Sequence, residues 1–276
     1  MEREVTEGDK SMIIEVKDLK KTYQIAQKEE GVLGAVKYLI KPRYKEKEAV
    51  KGISFSIAQG DSVAFLGANG AGKSTTIKML TGIMKPTSGS IRVMGRDPFK
   101  ERMENAKQIG VVFGQKTQLW WDIPVIETFR LLKNIYEIPD SVYQENMEQF
   151  KEILGLERFL DQPPRKLSLG QRVRADLAAA LLHNPPIVYL DEPTIGLDVA
   201  VKQKVYEFLR YINQEKGTTI LLTSHDLNDL EALCTRLMIL EQGDMLFDDQ
   251  IEKIFSKYPN ADSLEEIVID LFNRRM

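Results

Sequence analysis

The sequence of 276 residues predicts an α/β fold with a parallel sheet at its centre. Short, largely apolar runs are separated by helical segments, a pattern typical of buried parallel strands. These runs are residues 110–113, 187–190, 219–223 and 237–240. A further apolar strand, 62–66, leads directly into a glycine-rich loop. The chain then turns helical, with Ile77 and Leu80 on one face.

Residues 12–19 and 52–57 alternate between apolar and polar side chains, which predicts the first two strands. The segment 24–48 between them is predicted to be an insertion. Its apolar residues at helical spacing are Val32, Leu33, Val36, Leu39 and Ile40. A basic tail follows, in which four Lys or Arg within 41–47 stand against one Glu. Two interpretations are open: a helix on an anionic membrane surface or membrane protein, or a helix packed on its own domain beside a solvated lysine-rich loop.

The part of the chain between about 115 and 165 is predicted to form a helical sub-domain inserted in the α/β core. Asp140 is suited to cap a helix whose apolar stripe is Tyr143, Met147, Phe150 and Leu154. We interpret Trp120 and Trp121 as filling the core of this sub-domain. Residues 251–276 are predicted to be a short helical tail, with an amphipathic helix at 263–272.

Composition excludes several classes of protein. A formal net charge of −3 and a pI near 5.7 lack the basic footprint of a nucleic-acid binder. The single cysteine, Cys234, excludes a disulfide framework, indicates a reducing compartment and is predicted to be buried. No run approaches the roughly 18 apolar residues that span a bilayer, and no secretory signal is recognised. Any membrane span is therefore expected from another chain.

The glycine-rich loop matches the phosphate-binding pattern G-x-x-x-x-G-K-[ST] between a strand and a helix. Glycines let successive backbone N–H groups surround phosphates, and the helix N-terminus adds positive charge. Lys73 is predicted to reach the β- and γ-phosphates, and the Ser74 hydroxyl to bind Mg²⁺. The nucleotide-binding residues predicted here are Gly67, Asn69, Gly70, Ala71, Gly72, Lys73, Ser74 and Thr75.

The strand 187–190 ends in two carboxylates, Asp191 and Glu192. A buried strand of this sheet delivers Asp191 beside the phosphate loop, where it is predicted to hold Mg²⁺ through water. Glu192 is then placed to polarise the attacking water as a general base. The alternative, in which one carboxylate merely caps the turn at Pro193, leaves two acids without a compensating cation.

Together these motifs resemble the nucleotide-binding domain of ATP-binding cassette (ABC) transporters, over about residues 12–250. The resemblance implies a P-loop NTPase core with an inserted helical sub-domain, binding ATP and Mg²⁺. It assigns Gln115 to the Q-loop, Asp198 to the D-loop, His225 to the switch histidine, Tyr23 to the adenine contact, and Ser168, Gly170 and Gln171 to the signature motif. It implies that Lys73, Gln115, Glu192 and His225 are catalytic and that Ser74, Gln115 and Asp191 hold the metal.

In this family the signature faces the nucleotide of the opposite subunit, so the resemblance implies a dimer of this or a closely similar chain. Leu169 stands where the family usually has a second glycine. We expect its side chain to point away from the phosphate, and both sites of a homodimer to hydrolyse ATP.

The function expected from the resemblance is that of the ATP-hydrolysing subunit of an exporter. It would power a separate transmembrane permease, without contact to nucleic acid, from the cytoplasmic face of the membrane by peripheral association. The chain looks closest to bacterial exporter ATPases for drugs, lipids and polysaccharides. The alternatives are the ATPase of an importer and a soluble, non-transport member of the same superfamily.

Overall fold

The computed structural model describes residues 11–27, 43–114, 116–224, 226–259, 261 and 263–273. Its strands are β1 (Met12–Gln27), β2 (Arg43–Ala58), β3 (Ser62–Leu66), β4 (Ser88–Val93), β5 (Ile109–Phe113), β6 (Ile187–Asp191), β7 (Thr219–Thr223), β8 (Arg236–Glu241) and β9 (Asp244–Gln250). Its helices are α1 (Lys73–Leu80), α2 (Arg102–Ala106), α3 (Val125–Ile135), α4 (Asp140–Leu154), α5 (Leu169–Leu181), α6 (Val199–Gln214), α7 (Leu227–Leu233), α8 (Ile251–Lys257) and α9 (Leu264–Asn273).

The strands form two sheets. A six-stranded sheet has the order β5-β6-β7-β3-β8-β9, and its pairs from β5 to β8 are parallel, while β9 is an antiparallel edge. A three-stranded antiparallel sheet has the order β2-β1-β4. Strands β3 and β7 are buried at every position, which explains their largely apolar sequences. The predicted α/β class with a parallel core is confirmed.

The first two strands are longer than the sequence predicts. β1 and β2 stay paired far into the predicted insertion, from Tyr23 opposite Lys47 to Gln27 opposite Arg43. Lys45 and Lys47 are therefore exposed strand residues, so the second of the two open interpretations, which places them in a solvated loop, is wrong for them. Pairing supplies both backbones with hydrogen-bond partners, so tertiary context decides the conformation here. The apolar residues of the predicted helix, 32–40, lie outside the described residues.

The region after β5 is helical. Met147, Phe150 and Leu154 of α4 are buried as its sequence stripe predicts. Asp140 is the first residue of α4 and makes no capping hydrogen bond, so its predicted capping role is wrong; it forms an ion pair with Lys133 instead.

The interpretation of the two tryptophans as core residues is also wrong. The side chains of Trp120 and Trp121 are 44% and 47% exposed, because the buried position of their segment is taken by Leu119. Within the described residues, none of the helices is both long and apolar enough to cross a bilayer.

The chain ends in helices that pack on the core. α9 falls where the sequence predicts an amphipathic helix, and it buries Leu264, Ile267 and Val268. The backbone N–H of Leu264 donates to Glu231 of α7 at 2.7 Å. Cys234, which follows α7, is buried as predicted, and burial raises the pKa of its thiol to about 12. This thiol is therefore protonated at neutral pH and acts as a small apolar group.

Candidate functional site

The glycine-rich loop follows β3 and leads into α1, as its pattern predicts. Two of its glycines are required by close backbone approach. A Cβ on Gly67 would lie 2.3 Å from the carbonyl oxygen of Leu240, and one on Gly72 would lie 2.6 Å from that of Ala49. Their φ angles, 152° and 112°, also disfavour other residues. The loop is therefore pressed against β8 and β2, with its open side facing away from the sheet.

Lys73, the first residue of α1, folds back over this loop. Its ammonium group donates to the carbonyl oxygens of Gly67 and, at 3.2 Å, Ala68. Burial lowers the pKa of Lys73, while the nearby carboxylates of Glu192 and Asp191 raise it. The cation thus lies in the field of both acids that end β6, as the sequence predicts.

Asp191, at the end of β6, lies beside the start of α1. The Ser74 hydroxyl donates to its Oδ2 at 3.2 Å, and the Thr223 hydroxyl donates to its Oδ1 at 2.6 Å. Hydroxyl and carboxylate oxygens are ligands that Mg²⁺ prefers, and Asp191 and Ser74 are near enough to share one ion. The donor set therefore fits the predicted metal.

The backbone of Glu192 is held in an unusual conformation. Its φ is +55°, and its N–H donates to the Thr223 carbonyl oxygen at 3.0 Å. On the opposite side, the Gly114 N–H donates to the Asp191 carbonyl oxygen at 2.7 Å. A positive φ in a glutamate costs about 1–3 kcal/mol, so the surrounding hydrogen bonds must hold this conformation in place. Thr223 of β7 and Gly114, which follows β5, thus hold the backbone that carries this carboxylate.

A cavity of about 560 Å³ lies beside the loop. The predicted residues Asn69 to Thr75, Tyr23 and Glu192 line it. The Tyr23 hydroxyl lies 3.4 Å from the Thr75 hydroxyl. Volumes of about 300–1,000 Å³ are usual for small-molecule sites. Sequence analysis missed four lining residues, Gln24, Ile25, Lys47 and Ala49. The first three lie within the predicted insertion, which hid their place in strands β1 and β2 beside Tyr23.

The signature residues lie on a different surface. Ser168 caps α5: the Gln171 N–H donates to its hydroxyl at 3.3 Å, and its own N–H donates to the Gln171 side chain at 2.9 Å. Asp198 similarly caps α6 by accepting from the Val201 N–H at 2.9 Å. Gly170 packs against Val201, where an added Cβ would meet the valine methyl groups at 3.2 Å. None of the cavity-lining residues comes from the signature.

Leu169 projects toward its own chain. Its side chain is 45% exposed, and its Cδ2 lies 3.1 Å from where a Cβ on Gly196 would stand. Gln115 and His225, which the resemblance assigns to the Q-loop and the switch histidine, lie outside the described residues; Gly114 and Ser224 precede them.

We expect Leu169→Gly to change kcat/KM for ATP by less than about threefold, since the side chain rests beside Gly196. Glycine at the first position of α5 should lower the free energy of unfolding by less than about 1 kcal/mol. ATPase assays and urea denaturation measure the two quantities. A rise of more than about tenfold in kcat/KM would show that the leucine obstructs the site.

Sequence analysis also missed Asp229 of α7, which is 1% exposed. Its carboxylate accepts from the Ser224 hydroxyl at 2.9 Å, from the Lys202 ammonium at 3.2 Å, and from the hydroxyls of Thr194 and Tyr206. These donors come from the loop after Glu192, from α6 and from the end of β7. No local pattern could reveal them, because the segments meet only in the fold.

Asp229→Ala is expected to lower the free energy of unfolding by about 3 kcal/mol, because it leaves the buried hydroxyls of Thr194, Tyr206 and Ser224 without this acceptor. Urea denaturation at neutral pH measures this loss. Asp244→Ala is the matched control, since Asp244 makes an exposed ion pair with Lys51 at 3.5 Å and should cost less than about 1 kcal/mol. Equal losses in the two variants would refute the structural role of Asp229.

A parallel sheet whose strand leads into a glycine loop and a lysine-headed helix defines a P-loop nucleotide-binding protein. A sequence model of the ABC transporter family matches residues 50–195. The chain belongs to this family, as its motifs suggest, and it is an ATPase.

Curated relatives include both importers and exporters. The chain is 33% identical over 232 residues to the methionine import ATP-binding protein MetN 2 of Enterococcus faecalis, covering 79% of this chain and 67% of the relative. It is 30% identical over 224 residues to the ABC transporter ATP-binding protein NatA of Bacillus subtilis, covering 80% of this chain and 91% of that relative. It is 32% identical over 232 residues to the Nod factor export ATP-binding protein I of Ralstonia nicotianae, covering 84% and 72%. The chain thus spans about two thirds of the importer's length.

Solved structures agree with the fold. An ATP-binding subunit of an ABC transporter superposes with a TM-score of 0.79 at 27% identity, covering 94% of this chain and 99% of that one. The ATP-binding cassette MJ0796, in a dimeric post-hydrolysis state bound to ADP and Pi, superposes with a TM-score of 0.69 at 26% identity, covering 86% and 98%.

Proposed function

We propose that this chain is the ATPase subunit of an exporter, which dimerises on ATP and Mg²⁺ and drives a separate membrane permease. The proposal rests on one observation: the loop cavity and the signature residues lie on different surfaces of the chain. The loop cavity holds Lys73 and Glu192, whereas Ser168 projects from the start of α5 outside the cavity lining. A second copy is then needed to bring a signature to the nucleotide. The dimeric state of MJ0796 supports this.

Each half of the composite site has a defined chemical role. Lys73 and the loop N–H groups bind the phosphates, and Tyr23 contacts adenine. Ser74 and Asp191, with Gln115, would hold Mg²⁺, which neutralises charge on the phosphates when bound. Glu192 accepts a proton from the attacking water, and His225 contacts the γ-phosphate.

The opposite subunit supplies the other half. The N-terminus of α5, with Ser168, Gly170 and Gln171, offers hydrogen-bond donors to the γ-phosphate. Asp198 lies on the neighbouring helix terminus and belongs to the same face.

Export is the proposed direction. Relatives named for Nod factor export and linearmycin resistance support it. Import is the second candidate, because the methionine-import relative is similarly close at 33% identity.

The permease is proposed to dock on the helical region, at the exposed Trp120 and Trp121. Aromatic residues are enriched at protein interfaces, and paired exposed tryptophans are otherwise unfavourable in water. The chain would then lie peripherally on the cytoplasmic face of the membrane.

Purification of the tagged chain from gently solubilised membranes tests the proposal. Export predicts that a multi-span membrane protein accompanies the chain and that its presence changes the ATPase rate. A co-purifying extracytoplasmic substrate-binding protein would indicate import instead. Recovery of the chain with ribosomes or DNA, and none with membranes, would contradict the transport function.

A further inference from the structure

The segment formed by residues 117–121 lies between β5 and α3 and carries both tryptophans of the chain. Leu119 anchors it in the core, with 4% of its surface exposed. The Thr117 hydroxyl accepts from the Leu119 N–H at 3.1 Å, and the Trp120 N–H donates to the Thr128 hydroxyl at 3.4 Å. The 117–121 segment is therefore a fixed loop that presents two aromatic rings to solvent.

Asp176 joins this segment to the signature helix α5. Its side chain is 6% exposed, and its Oδ1 accepts from the Thr117 hydroxyl at 2.9 Å and from the Gln118 N–H at 3.0 Å. The Gln118 side-chain amide donates to the Asp176 carbonyl oxygen at 2.8 Å. Three hydrogen bonds thus link one helical residue to two consecutive residues of the segment.

Arg172 makes a second, independent link one turn earlier on α5. Its guanidinium lies over the Trp121 ring, 4.8 Å from the ring centroid. Its Nη2 also donates to the Leu167 carbonyl oxygen at 3.5 Å, just before the signature serine. A cation over a tryptophan face is attracted by the ring quadrupole, so the stacking holds ring and helix together.

The helix between these links and the signature is continuous. Ser168 caps α5, and Asp176 lies eight positions further along the helix, a rise of about 12 Å. A helix of this length moves as a rigid body. A displacement of the 117–121 segment must therefore either move Ser168 or break the hydrogen bonds to Asp176.

We propose that Asp176 and Arg172 are positioning residues that couple the 117–121 segment to the signature serine. A partner that pushes on Trp121 moves the N-terminus of α5, and engagement of Ser168 by the nucleotide of the opposite subunit moves the tryptophans. This inference rests on the proposed ATP-driven dimer, because the signature acts across that interface.

The Asp176 carboxyl is a buried titratable group. Burial raises the pKa of its carboxyl to about 6, against the opposing effects of its hydrogen bonds and of Arg172. Asp176→Asn keeps an Oδ1 acceptor for Thr117 and Gln118, whereas Asp176→Ala removes it.

Tryptophan fluorescence tests the coupling, because both tryptophans lie in this segment. The chain carrying Glu192→Gln is titrated in concentration at saturating ATP and Mg²⁺, and the dimer fraction is measured by sedimentation. The inference predicts that emission changes in proportion to dimer fraction. In Asp176→Ala the amplitude should fall by about half or more at equal dimer fraction, and Asp176→Asn should restore most of it.

Asn146→Ala is the matched control, since it removes a buried hydrogen bond between α4 and the Leu182 carbonyl oxygen without touching the 117–121 segment. It should keep the full amplitude. Thr117→Val, which removes one donor to Asp176, replaces Asp176→Ala if that variant does not fold. Full amplitude in Asp176→Ala or Thr117→Val, or constant emission during wild-type-like dimerisation, would overturn the inference. Absence of any ATP-driven dimer would overturn the proposed function, and the inference with it.

Discussion

Glu192→Gln is expected to lower kcat for ATP hydrolysis by about a hundredfold or more, because the amide cannot accept the proton of the attacking water. The change preserves the shape of the side chain and the hydrogen bond from the Glu192 N–H to the Thr223 carbonyl oxygen. ATP affinity should therefore stay close to that of the unmodified chain. The variant should accumulate as an ATP-bound dimer, since hydrolysis no longer separates the subunits. Phosphate-release assays and sedimentation measure the two effects.

Glu148→Gln provides the control for this change, because Glu148 is an exposed residue of α4. It should hydrolyse ATP at an unchanged rate. Turnover by Glu192→Gln within about threefold of the unmodified chain would remove Glu192 from the role of general base.

Lys73→Met should weaken ATP binding by about a hundredfold, since it removes a partly desolvated cation from the phosphate site. Methionine keeps most of the side-chain volume, so the fold around the loop is retained. Burial lowers the pKa of Lys73, while the nearby carboxylates of Glu192 and Asp191 raise it. The substitution removes the positive charge that lies close to these two acids. Titration with a fluorescent ATP analogue measures the affinity.

Lys100→Met is the control for Lys73→Met, because it makes the same substitution at a lysine whose side chain is 80% exposed. That variant should bind ATP normally. An unchanged affinity in Lys73→Met would show that the loop does not hold the phosphates through this residue.

The parallel core and the loop could be predicted because their sequence signals are local. Buried strands such as β7 contain an uninterrupted apolar run, Ile220 to Leu222, and a glycine of the loop, Gly67, lies against the backbone of Leu240. Strand β4 was missed, since it alternates only weakly and exposes its first three residues.

Features that depend on distant segments could not be predicted. The pairing of Lys47 with Tyr23 brings the start of β2 to the cavity, although the intervening sequence has helical spacing. Asp229 and Asp176 accept hydrogen bonds from residues far away in the chain. Trp120 is a large apolar residue, so the sequence predicts that it is buried, whereas the fold leaves it 44% exposed.

The composite site is tested most directly by mixing two inactive variants. Lys73→Met disables the loop, and Ser168→Arg blocks the signature, so each homodimer should be nearly inactive. In a mixed dimer, one nucleotide meets an intact loop on one chain and an intact signature on the other. Random exchange of subunits should then restore about a quarter of the wild-type ATPase rate. A mixed sample no more active than the average of its two components would contradict the sharing of sites between chains.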